Sequence, residues 1–178
     1  MILRKEKSKM IKKIILVILA LATIYFIGDT NLKGKSVYYA KHSSSSNTRD
    51  LEIMMLVENI QKSADREGFS YRLDGDKTIK NTTKNVYLSS GYSVNDANYE
   101  YVYISNERQY YYFDESFKLK KVVDFGNNMQ HIDISTIDEN KIKEEIYENF
   151  KSILKEEEEK PFINLQWIFN WVYRDRIK

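Results

Sequence analysis

An almost unbroken apolar run, Ile14–Ile27, stands out near the start of a chain in which apolar and polar residues otherwise alternate. Arg4, Lys5, Lys7, Lys9, Lys12 and Lys13 precede it, with Glu6 the only acid among them. Basic residues stay on the cytosolic side of a membrane segment, so the chain after Ile27 is expected outside. As a helix the run spans about 21 Å, against roughly 30 Å of bilayer hydrocarbon. Ile11 and Gly28 extend it, and Lys12 and Lys13 can snorkel. The same length fits the apolar region of a cleavable signal peptide. Ala20-Leu21-Ala22 has the small-x-small form but sits inside the run, Gly34-Lys35-Ser36 lies far downstream, and there is no cysteine for lipidation. The reading taken is a signal anchor or signal peptide over 1–28, uncleaved in preference to cleaved.

Beyond it, residues 29–47 read as a polar linker ending in Ser43–Ser46 and Asn47. Residues 48–178 read as one α+β domain. Ile53, Leu56, Val57, Ile60 and Ala64 recur at helical spacing and predict a helix from about Asp50 to Glu67, stopped at Gly68. Alternating runs then predict strands at 69–73, 86–90, 99–105, 109–113 and 117–125, separated by short turn signals. Short links favour an antiparallel meander of about five strands. Thr136 and Glu139 have capping-box spacing before the apolar stripe Ile142, Ile146, Phe150, Ile153 and Leu154. Pro161 suits the first turn of a last helix, running to about Tyr173. The expected fold is one helix, the meander and two C-terminal helices packed on the sheet.

Charge changes the picture of partners. The chain of 178 residues carries a net +2, but residues 1–47 hold nine basic and two acidic residues. That leaves 19 basic and 24 acidic in 48–178, a domain near −5. A nucleic-acid binder shows the opposite footprint. With no cysteine there is no disulfide, zinc–thiolate site or thiol nucleophile. Heavy use of Ile, Lys, Asn and Tyr suggests a low-GC bacterial source.

No catalytic set assembles from the motifs. Asp74-Gly75-Asp76-Lys77-Thr78 has the form of a phosphatase aspartate nucleophile, but that chemistry needs an alternating α/β chain, and an Asp-Gly hairpin turn accounts for it. It also fails as a calcium loop, with Ile79 where a glycine is needed. Ser152 with Lys155, and Tyr147 with Lys151, are helix-face spacings without companion motifs. His42 and His131 stand alone. The expectation is no enzyme, no cofactor and no metal.

The 14 tyrosines are the informative excess. A two-residue turn at Asn106-Glu107 sets Tyr103 opposite Tyr110 and Tyr101 opposite Tyr112, with Tyr99 on the same face. Val102, Ile104, Tyr111 and Phe113 take the other. A two-residue turn at Glu115-Ser116 puts Phe117, Leu119, Val123 and Phe125 with the tyrosines; a three-residue turn puts them opposite. The first is preferred, with the tyrosine face under the helices. Tyr111, Phe113 and Lys120 are then expected on the open face, with Glu100 and Lys118 on its rim, as a partner-binding surface. On the last helix, Phe162, Leu165, Ile168, Phe169, Val172 and Tyr173 read as the core side. Ile163, Trp167 and Trp171 form a second stripe, whose two tryptophans are a secondary candidate for a partner or the membrane interface, with Trp167 expected at least half buried.

The basic-flanked anchor, Val37-Tyr38-Tyr39 after it, the Tyr-rich meander with Phe113-Asp114 leading into Leu119, and the helical end together resemble the TipC-type exported immunity proteins of Gram-positive bacteria. The resemblance is architectural and assigns no functional residue. It implies a binding protein without catalysis that holds a secreted toxin domain outside the membrane through a sheet face. The expected function is therefore a single-pass, membrane-anchored protein-binding protein. The alternatives are an envelope accessory or assembly subunit whose anchor makes partner contacts and, last, a small hydrolase using Asp74 and Asp76.

Overall fold

A computed structural model describes residues 2–59, 66–72, 77–91, 93–94, 97–98 and 100–177. The first helix, α1 (Ile2–Gly34), runs for 33 residues without a break. Its stretch Ile11–Gly34 is long and apolar enough to cross a membrane, and its apolar window is not buried against the protein. Helix α2 (Ser36–Lys41) and helix α3 (Thr48–Asn59) follow. Strands β1 (Phe69–Arg72), β2 (Lys77–Asn81) and β3 (Val86–Ser90) come next, then a small pair, β4 (Ser93–Val94) with β5 (Ala97–Asn98). Strands β6 (Tyr101–Ile104), β7 (Gln109–Phe113), β8 (Leu119–Asp124) and β9 (Gln130–Ile132) complete the main sheet. A 3-10 turn at Ile134–Thr136 leads into α4 (Glu139–Glu157), and α5 (Gln166–Val172) closes the fold.

The α+β architecture is as expected, with a larger sheet. Seven antiparallel strands stand in the order β1-β2-β3-β6-β7-β8-β9. Strand β2 escapes sequence reading because Lys77-Thr78-Ile79-Lys80-Asn81 has one apolar residue, the buried Ile79. Strand β9 is three residues long and largely exposed, so no alternation marks it. Helix α4 starts two residues later than the capping-box spacing suggests: Asp138, not Thr136, caps it by accepting the Lys141 N–H. The expected 60–67 part of the first domain helix falls partly on residues outside the description.

The stretch 29–47 is not a linker. Helix α1 continues to Gly34, and α2 places Val37, Tyr39 and Ala40 in the main core. Apart from Lys35, between α1 and α2, only residues 42–47 connect without a helix or strand. Tyr39 explains the arrangement: its ring packs on Phe169 (5.6 Å between centroids). Its hydroxyl proton is shared between Asn31 Oδ1 (2.6 Å) and the Ile163 carbonyl (2.9 Å), while its oxygen accepts the Leu165 N–H (3.1 Å). Lys35 and Lys41 pair with Glu159 and Glu158 at the end of α4. Helix α1 is thus fastened to the domain through part-buried contacts.

The core lies between one sheet face and the helices. Tyr71, Ile79, Leu88, Tyr103, Tyr111, Val122 and Ile132 form one cross-strand row of it, and Phe150, Ile153 and Leu154 of α4 pack with them. A polar chain that runs from the buried Asn149 to the exposed Glu145 ties α4 down: Tyr103 donates to Glu145 (2.7 Å), and Asn149 Nδ2 donates to the Tyr103 oxygen (2.7 Å).

Candidate functional site

Two hairpin loops decide which tyrosines face where, and both differ from the expected two-residue turns. At the first, Arg108 donates its N–H to Ser105 O (3.1 Å) and Ser105 donates to Gln109 O (2.9 Å). Residues 106–108 form a three-residue loop whose third member, Arg108, has φ +62°. Tyr101 therefore pairs with Phe113, Tyr103 with Tyr111 and Ile104 with Tyr110. The second loop repeats the geometry: Phe117 donates to Asp114 O and Asp114 to Lys118 O, both at 3.0 Å, with Phe117 at φ +56°. A bulge follows, because Tyr112 pairs with Lys121 while Phe113 pairs with Leu119. Lys120 is the extra residue, and it flips the strand's phase so that Val122 faces the core and Val123 does not.

This corrects the expected binding set. Tyr111 and Phe113 are 5% and 0% exposed and belong to the core under the helices, so they form no open face. Tyr111 also touches a cleft of about 390 Å³ beside the start of α4, with Asp138, Lys141 and Glu145. Its hydroxyl donates to Gln109 Oε1 (2.6 Å), and burial pushes its phenol up to about 12. Glu100, Lys118 and Lys120 gather at the other end of these strands. Lys120 pairs with Asp114 at 2.9 Å. Burial works against the Asp114 charge, but Lys120 and the N–H groups of Lys118 and Ser116 outweigh it and hold the carboxyl below its usual range. At this end Tyr101 donates to Glu58, which also pairs with Arg176 of the C-terminal tail. Asp74, Asp76 and Tyr99 lie outside the described residues, and among the described residues no three His, Cys, Asp or Glu side chains group for a metal.

The face turned from the helices carries a different set. Register places Ser70, Lys80, Tyr87, Ile104, Tyr110, Val123 and His131 in one row across seven strands. Arg72, Thr78, Ser89, Val102, Tyr112 and Lys121 make the next. Val102, Tyr112 and Val123 form a small second cluster of strand residues, edged by Ile104 and Tyr110. Tyr110 packs on Phe125 at 4.2 Å. Lys80 lies over the Tyr87 ring (4.8 Å) and Lys121 over the Tyr112 ring (5.6 Å). The acidic or basic side chains in these two rows, Arg72, Lys80 and Lys121, are all basic, on a domain that is acidic overall. Sequence reading missed Tyr110 and Lys121 because no glycine marks either left-handed loop position, and it assigned Tyr87, on β3, to neither face.

The last helix is shorter than expected, starting at Gln166 after Leu165 instead of at Pro161. Phe169 is buried, but Phe162 is fully exposed and Val172 is 51% exposed, so the expected core stripe is not one face. Trp167 and Trp171 are 72% and 66% exposed, which overturns the expectation of a half-buried Trp167. No protein-family model, curated protein or solved structure matches the chain.

Proposed function

We propose that the chain is a membrane-anchored binding protein. Its domain stands outside the cytosol and holds a protein partner on the helix-free face of the sheet, without catalysing a reaction. The observation that carries this reading is the pair of cross-strand rows in which half-buried Tyr87 and Tyr110 lie among Lys80, Lys121 and Arg72. Aromatic rings give area at low entropic cost, and basic side chains around them select a partner with an acidic surface. Six basic residues before the apolar run support an outside domain. An immunity protein that neutralises a secreted toxin is the form of this function to which the overall layout points.

The test is site-specific photo-crosslinking of the full chain in intact cells, with the reactive group at Tyr110 and, as a control, at the exposed Glu148 on α4. A protein adduct at position 110 that disappears with Lys80→Glu and Lys121→Glu supports the reading. Adducts at 148 and none at 110 overturn it. Replacing only residues 11–23 of α1 with an unrelated apolar segment, which leaves Asn31 and Leu32 in place, separates the alternative, an envelope assembly subunit: the binding protein keeps its partner and the subunit loses it.

A further inference from the structure

An apolar groove of about 690 Å³ runs between the outer end of α1 and the C-terminal segment. Ile24, Tyr25 and Ile27 form one wall, and Leu165, Ile168 and Trp171 form the other. We propose that this groove holds an acyl chain of the bilayer's own phospholipids, and that α5 lies in the outer leaflet with Trp167 and Trp171 at the interface. The proposal rests on the membrane-anchored reading above.

Position along α1 comes first. The apolar run ends at Ile27, and the next part of the helix, residues 28–33, offers Asp29, Asn31 and Lys33 at the outer end of the spanning stretch. Asp29 and Lys33 neutralise each other one turn apart, at 2.8 Å. The C-terminal segment supplies apolar surface at that level, because Ile163, Val172 and Tyr173 line the groove beside Asp29, Asn31 and Lys33.

Exposure is the second argument. Phe162, Trp167, Trp171 and Val172 crowd one short segment and stand in the open. Isolated apolar side chains on a surface need no explanation, but a contiguous set beside a membrane helix does. Trp favours the headgroup level of a bilayer, where its ring is apolar and its N–H remains wet. Arg174, in the turn just past the end of α5, is exposed and offers a basic side chain to a lipid phosphate. The groove is continuous with the lipid-facing surface of the anchor, since Ile24, Tyr25 and Ile27 belong to both. That continuity selects lipid as the occupant. The Tyr39 hydrogen bonds to Asn31, Ile163 and Leu165 keep the two walls together.

Trp167 and Trp171 are the chain's two tryptophans, so intrinsic emission reports this segment alone. The full chain is reconstituted in phosphatidylcholine vesicles whose acyl chains are brominated either near the headgroup or near the chain end. The expected result is blue-shifted emission, quenched more by the shallow bromines. A companion variant, Trp167→Phe/Trp171→Phe with Leu19→Trp, reports the anchor itself, since Leu19 is exposed on the apolar run and does not line the groove. Quenching of the companion without quenching of the native tryptophans overturns the proposal and leaves the anchor reading intact. Failure of both overturns both. Blue-shifted native emission that reverts on dilution with lipid overturns the proposal in favour of a second copy of the chain as the occupant.

Discussion

The Tyr39 hydroxyl lies 2.6 Å from Asn31 Oδ1, joining a fully buried core residue to the last turn of α1. The same oxygen bonds the chain on both sides of Asn164. The outer end of α1, helix α2 and the segment before α5 therefore meet at one phenol. Tyr39→Phe keeps the ring contact with Phe169 but leaves the Leu165 N–H and the Ile163 carbonyl without that partner. The expected loss is about 1–3 kcal/mol of domain stability, read as a lower melting temperature of the full chain in detergent. A spin-label distance between α1 and α4 should broaden in the same variant. An unchanged melt and distance would show that the joint does not depend on this hydroxyl.

Glu52 gives the domain a pH dependence of unusual sign. It is buried at the meeting of α2, α3 and α4, and among the described residues its Oε2 has no hydrogen-bond partner. Burial raises its carboxyl to about 7, with Glu158 adding to the rise and Lys41 and Arg49 opposing it. Tyr147 of α4 also senses its charge. The folded state then holds a proton between about 4.5 and 7 that the unfolded chain has released, so stability falls as pH rises through that window. Glu52→Gln removes the penalty. It should stabilise the domain by on the order of 2–3 kcal/mol at about pH 8 and by little at about pH 4. Denaturant melts of both proteins at the two pH values check this; an equal difference at both would contradict it.

Arg108 and Phe117 share a left-handed backbone but not an environment. Arg108 is exposed, so Arg108→Gly relieves the conformation at no packing cost and should stabilise by up to about 1 kcal/mol. Phe117 is buried and stacks on Phe113 at 4.6 Å with rings 8° from parallel. Phe117→Gly gains the same relief and loses the ring, so a net loss of roughly 3 kcal/mol is expected. Thermal melts of the two variants should move in opposite directions.

The same two loops explain what could and could not be read from the residues. Element types followed from periodicity: Ile142 to Leu154 marks α4, and the alternation in 86–90 and 109–113 marks β3 and β7 at their observed bounds. Register did not follow, because a one-residue change in loop length turns a whole strand over. Arg and Phe stand where glycine usually signals such a loop, and the Lys120 bulge adds a second reversal that no residue type announces. Tyr111 and Phe113 were thereby expected outside and lie inside. The open face instead takes Tyr87, Tyr110 and Lys121. Residues 29–47 misled for a different reason: their polarity is that of a linker, but Val37, Tyr39 and Ala40 form one buried side of a short helix.

The central claim is a domain held outside the cytosol by α1, and the absence of cysteine makes it directly measurable. Single cysteines are placed at Ser8, before the apolar run, and at the exposed Asn106, at the hairpin loop between β6 and β7. Intact cells are treated with a membrane-impermeant maleimide. The account predicts that Asn106→Cys is labelled in intact cells and that Ser8→Cys is labelled only after lysis. Labelling of Ser8→Cys from outside, with Asn106→Cys protected until lysis, would contradict it.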